Sequence, residues 1–111
     1  MTKTYDVKFL EPVIEFLDSL EEQERDKILF NITKAKVSND KELFKKLNGE
    51  IWEFRTLFNK KQFRLLAFWD KGKDKETLVI ATHGFIKKSK KTPKNEIERA
   101  EKIRTAYTSQ K

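Results

Sequence analysis

The chain has 111 residues, 13.3 kDa and 37% hydrophobic residues, nine of them Phe, enough for one domain with its own core despite 39% charged residues and a mean hydropathy of −0.78. It has no cysteine and a single His, which leaves no disulfide, no thiolate nucleophile and too few ligands for a zinc centre, so neither a metal nor a cofactor is expected. The net charge of +7 is segregated: residues 1–40 carry six Lys/Arg against nine Asp/Glu, and residues 41–111 carry nineteen against nine. An excess spread over the whole chain would serve solubility, whereas segregation favours a polyanion partner.

In chain order, Tyr5, Val7 and Phe9 alternate with Asp6 and Lys8 as in a half-buried strand. Asp6 also breaks any signal-peptide pattern, and no later run approaches the ~20 apolar residues of a membrane span, so a cytoplasmic protein away from membranes is expected. Pro12 suits a first helical turn, and Val13, Phe16, Leu17 and Leu20 follow one helix face. Ser19-Leu20-Glu21-Glu22 has the form of a capping box, which predicts a break and a second helix carrying Ile28, Leu29, Ile32 and Ala35. A short third helix is expected over Lys41 to Leu47, ended by Asn48-Gly49. The acidic side chains Glu21, Glu22, Glu24 and Asp26 read as a solvated helix face.

After Gly49 the period changes to two. Trp52 and Phe54 share one face of a strand over Glu50 to Phe58, with Glu53 and Arg55 on the other. Asn59-Lys60-Lys61 is a hairpin turn, and Gln62 to Trp69 returns with Arg64 on the face of Leu66 and Phe68. A turn over Lys71 to Lys75 leads to a third strand of the meander, Glu76 to Gly84. There an apolar strand end passes into Lys87-Lys88-Ser89-Lys90-Lys91-Thr92-Pro93-Lys94, a basic loop between a rigid strand and a helix opened by Asn95 and Glu96. The expected fold is α+β: a small antiparallel sheet, made of the N-terminal strand and the three-stranded meander, packed against N-terminal helices and followed by a C-terminal helix.

The blocks Phe44-Lys45-Lys46-Leu47-Asn48-Gly49-Glu50-Ile51-Trp52-Glu53-Phe54-Arg55, Phe63-Arg64-Leu65-Leu66 and His83 to Pro93, with Glu96, Ile97 and Ala100, resemble the HigB-like, phage-derived branch of the RelE/ParE toxin superfamily. The resemblance implies a single toxin domain over residues 1–111, from a type II toxin–antitoxin pair. It implies a ribosome-dependent endoribonuclease that cleaves mRNA and is neutralised by an antitoxin, often of the helix-turn-helix type. Where relatives often carry Tyr before the second arginine, this chain has Phe63, so no phenolic acid stands there.

Cutting RNA without a metal needs a base for the ribose 2′-OH, cations for the phosphorane-like transition state and an acid for the 5′-oxygen. Arg55 and Arg64, on adjacent strands, are candidates to fork the scissile phosphate, although Glu53 or Glu76 could instead pair with them as structure. For proton transfer the chain offers His83, which as a lone strand His could instead be packed or hydrogen-bonded structure, or a lysine among Lys87, Lys88 and Lys91, whose crowding lowers each pKa. Lys60, Lys61, Lys90 and Lys94 are candidate RNA phosphate contacts, and Trp69 is a candidate stacking surface or a core residue. Two other readings stay open: a ParE-like gyrase poison, and a non-catalytic nucleic-acid-binding module.

Overall fold

The computed structural model describes residues 5–71 and 78–110. Its elements are β1 (Asp6–Phe9), α1 (Glu11–Asp18), α2 (Glu22–Val37), β2 (Phe44–Asn48), β3 (Ile51–Phe58), β4 (Lys61–Trp69), β5 (Leu78–Lys87) and α3 (Lys94–Ser109). They build one five-stranded sheet in the order β1-β5-β4-β3-β2, with α1 and α2 on one face and α3 on the other. The sheet is mixed rather than antiparallel throughout, because β1 runs parallel to β5. No hairpin ties β1 to its neighbour: α1 and α2 carry the chain from one sheet edge to the other, so its direction is not dictated by a tight turn.

The expected third helix is a strand. Residues 41–43 form a turn, and Phe44–Asn48 pairs with Ile51–Phe54 in a hairpin closed by Gly49 at φ +57°. Asn-Gly flanked by apolar residues is a hairpin signal as much as a helix stop, and aromatic packing decides between them: Phe44 stacks on Phe54 at 4.2 Å between ring centroids. The helix break after α1 is present, but the capping box lies two residues later than expected. Ser19 ends α1, Glu21 caps α2, and its backbone N–H donates to Glu24 Oε1 at 3.1 Å. The turn expected over residues 71–75 lies outside the described residues apart from Lys71.

Period-two alternation sorts β3 and β4 cleanly. Phe54, Phe63, Leu65 and Ala67 pack with Val13, Leu17, Ile28 and Ile32 of α1 and α2, while Ile51, Leu66, Phe68 and Ile80 pack with Ala100, Ile97 and Tyr107 of α3. β5 needs a correction to its alternation. Leu66 pairs with His83 and Ala67 with Ala81, so Thr82 is an extra, bulged residue that resets which side chains face α3. Beyond the bulge, Phe85 joins the α3 layer and Ile86 the α1–α2 layer.

Gly84, next to His83, leaves no room for the close approach of a ligand. A Cβ there would collide with Phe16 of α1 and Leu65 of β4, so the glycine lets α1 lie close on the sheet. Gly84→Ala should therefore lower stability by about 1–3 kcal/mol through overpacking. Thermal denaturation checks this, and an unchanged Tm would mean that α1 is not tightly seated.

Candidate nucleic-acid interface

The register of β3, β4 and β5 sets out three rows of side chains on the α3 face. Leu57, Gln62 and Lys87 are opposite one another, then Arg55, Arg64 and Phe85, then Glu53, Leu66 and His83. Arg55 and Arg64 are thus a directly opposed like-charge pair, an arrangement that disfavours a sheet unless an anion lies between the charges. Glu53 supplies one negative charge. Its carboxylate is 3.3 Å from Arg64 Nε and 4.0 Å from Arg55 Nε, and it accepts the Thr92 hydroxyl at 3.0 Å.

Arg64 is almost fully enclosed, with 3% of its surface exposed. Its Nη1 donates to the Phe63 carbonyl at 3.1 Å and its Nη2 to Gln62 Oε1 at 2.7 Å. Nε has no aligned acceptor, so its contact with Glu53 is electrostatic. Burial lowers the Arg64 pKa, Arg55 adds to that, and Glu53 opposes it. Arginine stays charged under such pressure, so the result is a fixed, poorly hydrated cation. Arg55 keeps 27% of its side chain exposed.

Lys87 is half-buried at the end of β5 and electrostatically coupled to the same group. Its pKa is lowered first by burial, then by Arg64 and, more weakly, by Arg55 and Lys45, with Glu53 opposing. Arg55, Arg64, Lys87 and Lys45 therefore stand against one buried carboxylate. The surplus is positive, rigidly held and open to a groove of about 360 Å³ that Arg55, Arg64 and Gln62 help to line.

Of the other candidate residues, Lys60, Lys88 and Lys90 are exposed and line an adjoining groove of about 700 Å³ together with Lys87. Lys91 is exposed on the same loop, which Ser89 tightens by donating to the Lys91 carbonyl at 2.7 Å and which Thr92 anchors to Glu53. Lys94 opens α3 and borders a separate groove beside Asn48. Lys61 borders the groove of Lys60 and Lys87 too, but turns its ammonium to the α2 face, 2.8 Å from the buried Glu24; that hydrogen bond holds the Glu24 pKa down and the Lys61 pKa up. Trp69 sits at the far end of β4 from the hairpin lysines, edge-on to Tyr5 and Trp52 in an aromatic cluster.

His83 is 1% exposed and bridges β5 to α3, with Nε2 2.9 Å from Glu96 Oε1 and Nδ1 3.0 Å from Thr82 Oγ1. The Thr82 hydroxyl donates to the Leu66 carbonyl at 3.1 Å, and the direction of its contact with Nδ1 is set by the tautomer of the imidazole.

Lys45 and Thr92 were not singled out in the sequence, whereas Glu53 was expected as a possible structural partner of the two arginines and is found beside both. The signal for Lys45 was hidden by reading its strand as a helix. The signal for Glu53 was visible, since it lies two residues from Arg55 on the same face. Glu76, the other carboxylate considered, lies outside the described residues. Among the described residues, no group of three His, Cys, Asp or Glu side chains could hold a metal ion, and no helix is long and apolar enough to cross a membrane.

The model of the family described as phage-derived protein Gp49-like (DUF891) matches residues 15–105. The chain belongs to this family. The Gp49-like family is RelE/HigB-like in general character, and the matched span contains all of Glu53, Arg55, Arg64, Lys87 and Thr92. No curated protein matches the chain.

The enclosed imidazole of this Gp49-like protein has a measurable consequence. Burial lowers the His83 pKa, Glu96 partly opposes that, and Arg99 adds to it. The unfolded chain then binds the proton more readily than the folded one, so stability is complete above about pH 6.5, the unfolded value, and is lost as pH falls from there toward the lower folded value. Because His83 is the only His, Tm should fall between about pH 7.5 and 5.5 in the parent and fall less in His83→Gln. Parallel profiles would mean that His83 titrates alike in both states.

Proposed function

We propose that the protein is the toxin of a type II toxin–antitoxin pair and acts as an mRNA endoribonuclease on the ribosome, in the cytoplasm. The observation that carries this reading is the opposed pair Arg55 and Arg64, joined by the partly desolvated Lys87, around a single carboxylate. Such a group lacks an anion, and an RNA phosphate supplies one with oxygens matched to the arginine fork.

In this scheme the scissile phosphate lies over Arg55 and Arg64, and Glu53 holds Arg64 in place without cancelling the cluster. A base removes the proton of the ribose 2′-OH, whose oxygen attacks the adjacent phosphorus. The bond to the 5′-oxygen breaks and that oxygen takes a proton, leaving a 2′,3′-cyclic phosphate and a free 5′-OH. Negative charge grows on the phosphorane oxygens, where the fixed arginines are effective because they need not reorganise. Lys87 is the side chain placed to move a proton, since it stands at the end of β5 beside Arg64 and Arg55, and burial and these cationic neighbours lower its pKa. His83, enclosed between Thr82 and Glu96, acts as a strut for α3 and is left out of the chemistry. Lys60, Lys88, Lys90 and Lys91 gather the RNA backbone and ribosomal phosphates, and contribute affinity rather than sequence choice.

The same basic surface suits an antitoxin with an acidic segment, which would cover the loop and block ribosome entry. A gyrase poison would have no use for cations set inside the sheet, and a plain binding module would not need a depressed lysine.

In a translating extract with mRNA ends mapped, Lys87→Gln should lower cleavage by about a hundredfold or more, as expected for loss of a proton-transfer group, with little change in Tm. The rate of the parent should rise with pH, because a lysine base works only when deprotonated, and Lys87→Arg, which keeps the charge, should lose that rise. Arg64→Ala is a poor test, since it strands the buried Glu53; Arg64→Lys, which keeps the charge but not the fork, is the suitable variant. Parent-like cleavage by both Lys87→Gln and Arg64→Lys would remove the catalytic assignment.

A further inference from the structure

The outer edge of the sheet holds a cavity that the phosphate cluster does not use. β2 is the edge strand, and beside it Lys41, Phe44, Lys45, Lys46, Trp52 and Arg55 border a space of about 450 Å³, in the size range of small-ligand and nucleotide sites. Its floor is aromatic and held in one orientation. Trp52, half-buried, stacks on Phe44 at 4.9 Å with 28° between the ring planes and stands edge-on to Trp69 at 6.0 Å. Its rim is exposed and carries more cations than anions: Lys46 is the cross-strand partner of Trp52, and Lys45 that of Glu53, so the two lysines lie on opposite faces of the edge, with Lys41 and one carboxylate, Glu42, in the turn before them.

The cavity is continuous with the cluster. Arg55 and Glu42 border both this space and the groove that contains Arg64. A flat aromatic surface flanked by cations, reached from the phosphate site around the sheet edge at Arg55, matches the needs of single-stranded nucleic acid, whose bases stack while its backbone follows positive charge. An acidic peptide would use the lysines but gain little from a rigid indole.

We propose that this edge cavity is a second nucleotide subsite, in which a base of single-stranded RNA neighbouring the scissile nucleotide packs on Trp52 while its phosphates follow Lys41 and Lys46. The subsite rests on the ribonuclease reading for what happens to the neighbouring nucleotide, but its occupancy by RNA is a binding event that needs no cleavage. Stacking on an indole is sequence-tolerant, so the subsite extends affinity along the strand without fixing a base identity.

The test uses the two tryptophans of the chain. Trp69→Phe leaves Trp52 as the only emitter, and the full-length protein is titrated with a hexauridylate carrying 2′-O-methyl riboses, which cannot be cut through a 2′-OH. Saturable quenching of Trp52 is expected, together with about tenfold weaker binding in Lys41→Gln/Lys46→Gln, measured independently by anisotropy of a labelled copy of the oligonucleotide. Both lysines are exposed, so that variant keeps the fold and its circular dichroism should match the parent. Quenching and weakening in a protein that fails to cut mRNA would uphold the subsite and remove the ribonuclease reading. Cleavage without quenching, with unchanged affinity in the lysine variant, would remove the subsite and leave the ribonuclease reading standing. Quenching by an oligoglutamate that the oligonucleotide cannot displace would overturn the proposal in favour of a protein-binding edge.

Discussion

Two arginines face one another across the centre of β3 and β4, with one buried carboxylate between them. A sheet tolerates this only where something negative offsets the repulsion, and Glu53 does so incompletely because Lys87 and Lys45 add to the positive side. Glu53 is enclosed, with 4% of its side chain exposed, so its charge is weakly screened and strongly felt by every cation around it. The remaining structure can be understood as the means of keeping this unbalanced cluster rigid and accessible at the same time.

Rigidity comes from both faces of the sheet. Behind the cluster, α1 and α2 bury Phe63 and Leu65, the neighbours of Arg64 in β4, and the Lys61–Glu24 bridge ties the start of β4 to the start of α2. In front, α3 is fixed through His83 and Glu96, and the basic loop that precedes α3 is fixed through Thr92 and Glu53. The C-terminal end of the lysine loop is thereby attached to the α3 face of the sheet, one row from Arg55 and Arg64, while its other end continues directly from β5. Access remains because α3 packs on Ile51, Leu66, Phe68 and Ile80 and leaves the other end of that face, with the exposed Leu57, uncovered. The Thr82 bulge makes this division workable. It turns His83 and Phe85 to the α3 side while Ile80 stays there, so one strand serves the helix layer at one end and the cluster at the other.

Much of this arrangement was visible in the sequence, and the failures have physical causes. Strict alternation in Glu53, Phe54 and Arg55 and in Arg64, Leu65 and Leu66 put the arginines on one face, and the intervening hairpin made them neighbours. Phe44 to Leu47 was ambiguous, since a short apolar–lysine–lysine–apolar pattern fits a helix turn and an edge strand equally well, and only the ring packing of Phe44 on Phe54 and Trp52 selects the strand. Trp69 takes the core role that the sequence also allowed, whereas Lys61 was grouped with Lys60 although alternation turns its ammonium to α2. The reading of His83 as packed, hydrogen-bonded structure agrees with its place between Thr82 and Glu96, but the direction it faces was hidden because a bulge shifts the parity of everything after it and leaves no composition signal. The parallel direction of β1 was equally hidden, since a strand that pairs only with a distant partner carries no turn to announce its orientation.

The central claim is that the opposed arginines and Lys87 form an anion site which Glu53 only partly fills. Its most direct test is the Tm of the parent and of Glu53→Gln in millimolar inorganic phosphate, against chloride at matched ionic strength. Glutamine keeps an acceptor for Thr92 but removes the charge. The account predicts that Glu53→Gln is the less stable protein in chloride and that phosphate raises its Tm more than it raises that of the parent, by mass action at the vacated charge. Equal response of the two proteins to phosphate, or no response in either, would contradict it.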